Sequence, residues 1–467
     1  VLQLERYLAT VEELRLLFKK AGGDVDLVHL MDLLESRLAL AINESRDEME
    51  VFRGGDGDSW TEDVRRIAKR MHRGRDLRLI DSAQLLELVE RAIAMTTLPA
   101  ARRKLIILRA EIANHGLGLA HTHVRLNSVQ IHNAIRNLIG MEAAPDDPAH
   151  KRSYMASVAK LAAEVKPARI NFASILAERT SAKRLFMLVA QMLKYIDATT
   201  PVRFLIAECE TPLTLMAALY FARLFGVDHK VDISPLFETT KAFERGVRVI
   251  DECLQHPTFA EYVRKRGRLC IQTGFSDAGR HLGQTVAAIS VEWLRLKLGE
   301  LLKERGFTDV ELVVFDTHGE SIGRGGHPED FRARLEYVAS PVSRRQFASN
   351  GVRVKEETSF QGGDGYLYFV TPDIALASVT RILEYMLEPS GATIEEDRAY
   401  RAEEDYSKEL FITVRRFNER VMDDPAYATL LDTFGGNLLF VSGSRPVRRV
   451  QDGIEQRVNL THPTQMR

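Results

Sequence analysis

The sequence predicts an α/β fold: a (β/α)8 barrel of parallel strands, the TIM-type architecture, with extensive additional α-helices. Two observations lead to this fold class. Apolar, β-branched runs alternate with longer segments whose apolar residues recur at helical spacing, which is the pattern of a parallel sheet built from βα units. Most of these runs stop at a charged residue, as expected where barrel strands end at one functional face.

The first 114 residues are predicted to be a helical region that packs on the barrel. Amphipathic segments follow one another there without a β-branched run. The first segment stops before Gly22 and Gly23, a pattern typical of a helix C-terminus. The predicted helices cover residues 2–20, 27–42, 62–71, 82–95 and 100–114.

Residues 115–467 are predicted to form the barrel, with helical insertions at 151–196 and 395–433 and an incomplete C-terminal part. The clearest βαβ unit is a strand at 269–273, a helix at 284–305 and a strand at 312–315. Further helices are expected at 328–338 and 372–387. The other predicted strands cover residues 117–124, 203–207, 230–237, 352–360 and 438–441.

Composition argues against several classes of function. The 467 residues contain 64 Lys and Arg against 65 Asp and Glu, so the net charge of −1 provides no field for nucleic acid or a membrane surface. No apolar run approaches a membrane span, and three scattered cysteines form neither a disulfide framework nor a CxxC metal site. A cytoplasmic protein is therefore predicted. Because the sequence starts at Val1 and stops within a continuing segment, we expect a fragment.

Charged side chains at the ends of the predicted strands should converge on one mouth of the barrel. Carboxylates hold a hard cation such as Mg²⁺, and arginine forks hold phosphate and carboxylate groups. The glycine-rich loop at 323–326 lets the backbone approach an anion closely. These features indicate a phosphorylated carboxylic acid bound through a divalent metal, although any one residue also fits a plain strand end at the surface. The strand-end residues are Arg125, Glu208, Glu238, Asp277, Asp316 or His318, and Arg445.

Several motifs resemble those of the phosphoenolpyruvate carboxylase family, in the family's order and spacing. The resemblance covers roughly residues 116–467, and any one motif alone would be a weak signal. The motifs are GLGLAHTHVRLNS at 116–128, PLFET at 235–239, GFSD at 274–277, SIGRGG at 321–326, QG at 361–362, GSRP at 443–446 and MR at 466–467.

The resemblance implies β-carboxylation of phosphoenolpyruvate by bicarbonate, giving oxaloacetate for the tricarboxylic acid cycle and phosphate. It also implies a barrel that assembles into a homo-oligomer, a tetramer or a dimer. Glu238 and Asp277 match the family's ligands for Mg²⁺ or Mn²⁺. Arg125, Arg445, Arg467 and Gln361 are implied to bind the substrate. Arg125, Arg280, His318, Arg324 and Arg445 are implied to act in catalysis.

The chain also departs from the family pattern. The family's FHGRGG is FDTHGE at 315–320, so Asp316 stands at the histidine position and His318 at the first arginine position. Arg280 replaces a loop lysine, and the acid of the family's QGE is lost. The family's TAHPTE segment has no counterpart near the N-terminus. A non-catalytic homologue, or one with altered chemistry that still binds phosphoenolpyruvate, is therefore an alternative.

A zinc-dependent barrel hydrolase is a less favoured alternative. Side chains alternate along a strand, so His121, His123 and Arg125 would share one face. With Asp316 and His318 on later strands, the two histidines resemble the metal centre of such hydrolases. That reading leaves PLFET, GRGG and GSRP unexplained, so the carboxylase is preferred.

Overall fold

The computed structural model describes residues 1–22, 24–53, 59–74, 77–118, 121–274, 278–279, 282–316, 330–358, 367–388 and 404–437. The chain divides into two compact units. The first comprises Val1–Glu142, Lys160–Phe204 and Ala217–Asp232. The second comprises Ala143–Ala159, Leu205–Met216 and Ile233–Arg467.

In the part of the chain that the structure describes, five helices precede the first strand, as the sequence predicts. The boundaries of α1 are those predicted, whereas α2 continues from residue 42 to Arg53 because its apolar spacing is followed by a polar stretch without a stop signal. The five helices are α1 Leu2–Lys20, α2 Val25–Arg53, α3 Ser59–Arg73, α4 Ala83–Met95 and α5 Pro99–His115.

Six parallel strands follow one another in sequential order across one sheet, which confirms the predicted α/β class. A closed eight-stranded barrel is not shown by the described residues, and the predicted strand at 438–441 lies outside them. The strands are β1 His123–Asn127, β2 Val202–Ala207, β3 Val231–Phe237, β4 Arg268–Thr273, β5 Glu311–Asp316 and β6 Arg353–Thr358.

Helices connect these strands, as neighbouring parallel strands require. The predicted insertion at 151–196 resolves into three helices, and the predicted insertion at 395–433 is described from Glu404 onward. In chain order the helices are α6 Ser128–Arg136, α7 Lys151–Glu164, α8 Phe172–Ala177, α9 Ser181–Tyr195, α10 Pro212–Leu224, α11 Thr240–Leu254, α12 Pro257–Arg266, α13 Gln284–Glu304, α14 Phe331–Val338, α15 Pro341–Asn350, α16 Pro372–Leu387, α17 Glu404–Met422 and α18 Pro425–Asn437.

The core of the first unit lies between α1, α2, α4 and α5. Tyr7 is buried there, and its hydroxyl donates to the carbonyl of Gly116 at 2.9 Å.

A buried ion pair also stabilises this unit. The guanidinium of Arg78 meets the carboxylate of Glu48 with two hydrogen bonds of 2.7 and 3.2 Å, and its Nε donates to the carbonyl of Tyr195 at 3.0 Å.

The strand register in the second unit decides which side chains share a face. Phe237 pairs with Thr273, and Thr273 pairs with Asp316, so these three point to one side of the sheet. That side is covered by helices. On α11, a Cβ added to Gly246 would lie 3.1 Å from the ring of Phe237 and from a methyl of Leu294 on α13. Glu238, which follows Phe237 in the chain, therefore points to the opposite face of the sheet.

Candidate functional site

Glu238 follows β3 directly and lies over Gly274, which follows β4. A Cβ added to Gly274 would stand 2.6 Å from the Cβ of Glu238 and 3.3 Å from its Oε2. The amide of Gly274 donates to the carbonyl of Phe237 at 2.9 Å, which ties the two strand ends together. Glu238 is 6% exposed. A glycine is thus required at the start of GFSD because the Glu238 side chain occupies the space that a Cβ would fill.

A network of charged side chains lies at the start of α11, beside Glu238 in the chain. Thr239 caps this helix by accepting from the amide of Ala242 at 3.1 Å, and its hydroxyl donates to Glu210 at 2.9 Å. The ammonium of Lys241 lies 2.9 Å from Glu210 and 3.0 Å from Asp146. The hydrogen bond from Lys241 lowers the pKa of Asp146.

The turn after β2 carries backbone strain. Glu208 has a φ of 54°, and it is the non-glycine residue with a positive φ among those that the structure describes. Such a conformation costs about 1–3 kcal/mol and is found most often at functional sites. The next residue is no nucleophile at neutral pH, since burial raises the pKa of the Cys209 thiol to about 12.

The predicted strand at 117–124 is wrong in its boundaries, because β1 begins at His123 and ends at Asn127. Strand β1 ends at Asn127 because this residue caps α6. The side-chain oxygen of Asn127 accepts a hydrogen bond from the backbone amide of Val129 at 2.7 Å, and the side-chain oxygen of Gln130 accepts one from the backbone amide of Asn127 at 3.0 Å. Arg125 is therefore in the middle of β1 rather than at its end. His123 and Arg125 are exposed and alternate with the buried Val124 and Leu126, which confirms their shared face, whereas His121 precedes the strand.

Asp316 does not point to the side of the sheet that carries Glu238, contrary to the predicted convergence. Its register partner is Thr273, whose hydroxyl donates to the Asp316 carboxylate at 3.1 Å. Both side chains face the helix layer, where Arg295 of α13 lies 3.8 Å from the other carboxylate oxygen. Asp316 is completely buried in this position. The alternation of strand side chains, which sends successive residues to opposite faces, explains the difference.

Most of the predicted site lies outside the described residues. Arg125 and Glu238 are described, and the structure assigns them to separate compact units. The roles of the remaining residues stay predictions: they are Asp277, Arg280, His318, Arg324, Gln361, Arg445 and Arg467.

The donor set fits a hard divalent metal only in part. Glu238 supplies one buried carboxylate, the ligand type that Mg²⁺ and Mn²⁺ prefer, and Asp277 stands three residues after Gly274 in the sequence. Within the described ranges, no three His, Cys, Asp or Glu side chains converge to hold a metal ion. His121 and His123 thus find no third zinc ligand there.

A cavity of about 360 Å³ lies between α14, α15, α16 and β6. Its walls are mostly apolar, with Glu356 and Arg344 as the charged members. Glu356 shares the sheet face of Asp316, so the cavity is on the helix side and contains none of the predicted site residues.

No described helix combines the length and apolar composition that a membrane crossing requires.

Sequence reasoning missed Arg295, which is wholly buried and ion-paired to Glu356. A signal was available. Arg295 stands at helical spacing between Val291 and Leu298, in the middle of the apolar face of α13. A cation on such a face predicts an anion buried opposite it. The anions, Glu356 and Asp316, come from strands that only the fold brings close.

Comparison with known proteins decides the family. The family model "Phosphoenolpyruvate carboxylase" matches residues 63–333, which is more than half of the chain. The chain belongs to the phosphoenolpyruvate carboxylase family. This match contains the PLFET, GFSD and SIGRGG motifs, so the resemblance drawn from them is confirmed.

Curated relatives share low identity with this member of the family. A phosphoenolpyruvate carboxylase of Hahella chejuensis is 29% identical over 258 residues, which cover 54% of this chain and 27% of the relative. One of Marinomonas sp. is 28% identical over 257 residues, with the same coverage. One of Corynebacterium diphtheriae is 26% identical over 371 residues, 74% of this chain and 38% of the relative. The chain thus spans well under half the length of these relatives.

Proposed function

We propose that the protein is a phosphoenolpyruvate carboxylase, a lyase that joins phosphoenolpyruvate and bicarbonate to form oxaloacetate and phosphate. The observation that carries this proposal is the close contact between the Glu238 side chain and Gly274. This contact brings the PLFET and GFSD motifs together at the ends of neighbouring strands. Family membership and the printed names of the relatives support the same reaction. The proposal includes closure of the sheet into a (β/α)8 barrel and assembly into a homo-oligomer.

In the proposed site, Glu238 and Asp277 hold Mg²⁺ or Mn²⁺. When bound, the metal neutralises charge on the phosphate and enolate oxygens. Glu238 is suited to this role because it is buried and its Cβ is fixed against Gly274. A carboxylate held in one place loses little further freedom when it binds.

The proposed roles of the cationic residues follow from the charges of the substrate. Arg125, Arg445 and Arg467 bind its carboxylate and phosphate, because a guanidinium donates two parallel hydrogen bonds to such groups. Arg280, His318 and Arg324 stabilise charge that moves during the reaction, and Gln361 contributes a neutral hydrogen bond to the substrate. His318 carries a charge only when protonated, unlike the arginine it replaces.

One observation favours a second candidate, a homologue that binds phosphoenolpyruvate with altered or no turnover. Asp316 stands where the family has a histidine, and it is buried in the helix layer with Arg295. A carboxylate there cannot offer a substrate the hydrogen-bond donor that a histidine offers. The two candidates share the metal site and differ in chemistry.

Phosphate release from phosphoenolpyruvate with Mg²⁺, measured with and without bicarbonate, tests the proposal. We expect release that depends on bicarbonate, with oxaloacetate detected through malate dehydrogenase. Binding of phosphoenolpyruvate without release would support the second candidate instead. Absence of both binding and release would contradict both.

Asp277→Asn tests the metal site without depending on turnover. The change removes one of the two proposed carboxylate ligands, so we expect binding of phosphoenolpyruvate in the presence of Mn²⁺ to weaken by about tenfold or more. Asp309→Asn, at an exposed carboxylate, is the matched control. Equal binding by the Asp277 variant and the control would remove Asp277 from the site.

A further inference from the structure

Arg295 is a cation in the middle of an apolar helix face. It is completely buried on α13, where Val291 and Leu298 flank it at helical spacing. Its guanidinium forms two hydrogen bonds with the carboxylate of Glu356 on β6, one of them 3.1 Å long. The same Nη1 lies 3.8 Å from the carboxylate of Asp316 on β5. One guanidinium therefore joins two neighbouring strands to the helix that covers them.

The charge of Arg295 remains in place after burial. Burial alone would lower the pKa of Arg295, but Glu356, Glu292 and Asp316 together raise it above its ordinary value. Burial raises the pKa of Glu356, and Arg295 opposes that effect. A buried ion pair of this kind is often no more stabilising than apolar residues of the same volume. Its presence therefore points to a need for defined geometry rather than for added stability.

The cluster leads to Glu238 through described contacts. One carboxylate oxygen of Asp316 accepts from the hydroxyl of Thr273 at 3.1 Å, at the last residue of β4. The next residue, Gly274, donates a hydrogen bond from its amide to the carbonyl of Phe237 at 2.9 Å. The side chain of Glu238 packs against the Cα of Gly274. A displacement of Asp316 would thus shift the surface on which Glu238 sits.

We propose that Arg295 is a positioning residue for the metal site. Arg295 holds the carboxylate of Asp316 in place. Asp316 fixes the carboxyl end of β4 through its hydrogen bond with Thr273. The position of β4 in turn fixes Gly274, on which the Glu238 side chain packs. This inference rests on the proposed function, because it gives Glu238 the role of metal ligand. Arg295 itself touches neither metal nor substrate, since it lies on the helix side of the sheet.

Arg295→Met is the first test, because methionine keeps much of the volume and removes the charge. The probe is Mn²⁺ alone, titrated by electron paramagnetic resonance into the full chain. We expect about tenfold weaker Mn²⁺ binding, the lower end of the effect that supporting residues have on metal affinity. The matched control is Arg305→Met, which removes an arginine at the end of the same helix whose partner, Asp251, lies at 2.7 and 3.1 Å on the surface. The control should bind Mn²⁺ as the wild type does.

The single variant leaves the buried carboxylate of Asp316 and the half-buried carboxylate of Glu356 without their cation, so it could bind poorly because it folds poorly. A second variant, Arg295→Met with Asp316→Asn and Glu356→Gln, removes the charges of these three residues together. We expect its melting temperature to return towards that of the wild type while Mn²⁺ binding stays weak. Recovery of Mn²⁺ binding along with stability would show a purely structural role and overturn the proposal.

The same titration separates the two proposals from each other. If the wild type binds no Mn²⁺, the metal site of the proposed function fails, and the role of Arg295 fails with it. If the wild type binds Mn²⁺ and Arg295→Met binds it equally well, only the positioning role fails. If Mn²⁺ binding is weakened in Arg295→Met and in the triple variant, and kept in Arg305→Met and the wild type, the metal site and the positioning role both stand.

Discussion

Gly274→Ala perturbs the contact on which the candidate site depends. The backbone of Gly274 is not in the left-handed region, so alanine brings no backbone strain and the effect is steric. The new Cβ would lie 2.6 Å from the Cβ of Glu238 and 3.1 Å from a methyl of Leu236. Carbon atoms in contact stay about 3.5–4.0 Å apart, so the ends of β3 and β4 must separate by roughly 1 Å. Overpacking of this kind costs about 1–3 kcal/mol.

The assay combines metal affinity with stability. A displacement of roughly 1 Å at a metal ligand should weaken Mn²⁺ binding by about 10–100-fold, as changes around metal sites do. Mn²⁺ titration by electron paramagnetic resonance gives the affinity, and urea unfolding gives the free energy. Gly74→Ala is the control, because its added Cβ would meet no atom closer than 3.5 Å.

We expect metal affinity and stability to fall together in Gly274→Ala, and metal affinity to stay unchanged in Gly74→Ala. Unchanged Mn²⁺ binding and unchanged stability in Gly274→Ala would refute the close contact. A loss of stability with unchanged Mn²⁺ binding would keep the contact and remove Glu238 from the metal site.

Two further predictions concern charged pairs. Arg78→Met leaves the buried Glu48 carboxylate unpaired, so it should lower the free energy of unfolding by about 3–5 kcal/mol in urea titrations. The double variant, Arg78→Met with Glu48→Leu, should recover most of that loss. A single variant as stable as the wild type would contradict the prediction. Lys241→Met should cost less than about 1 kcal/mol at pH 7, because the Lys241–Asp146 pair is partly exposed. The pair lowers the pKa of Asp146, so its contribution is present above the unfolded carboxyl pKa of about 3.9 and lost as pH falls through the lowered folded value. Urea midpoints of wild type and variant should therefore converge in acid, and a gap that stays constant down to pH 2 would contradict the assignment.

Local patterns carried most of the fold. Helix α1 has the predicted bounds because its apolar period and its stop before Gly22 are both local signals. The same holds for α16, where Pro372 marks the start. The strand order follows from βα alternation. Closure of the sheet could not be read in this way, since it depends on how distant strands meet.

The errors have equally physical causes. Arg125 was placed at a strand end because the apolar run before it looks extended, but the capping box of Asn127 sets the true end of β1. The prediction groups Asp316 with the strand-end acids, but its side chain lies on the helix side of the sheet. A shift of one residue in where a strand ends sends the side chain to the opposite face of the sheet, and a short apolar run does not show where the strand ends to within one residue. Glu238 and Gly274 were selected through motifs, but their contact is a property of the register between β3 and β4.

Metal binding by Glu238→Gln is the most direct test of Glu238 as a metal ligand. Glutamine keeps the size of the side chain and its packing on Gly274, and it removes the charge that a divalent cation needs. Mn²⁺ would be titrated into wild type and variant at the same protein concentration, with urea midpoints recorded in parallel. We expect a Mn²⁺ affinity at least about tenfold weaker in Glu238→Gln, with stability retained. Equal Mn²⁺ affinities in two equally stable proteins would contradict it.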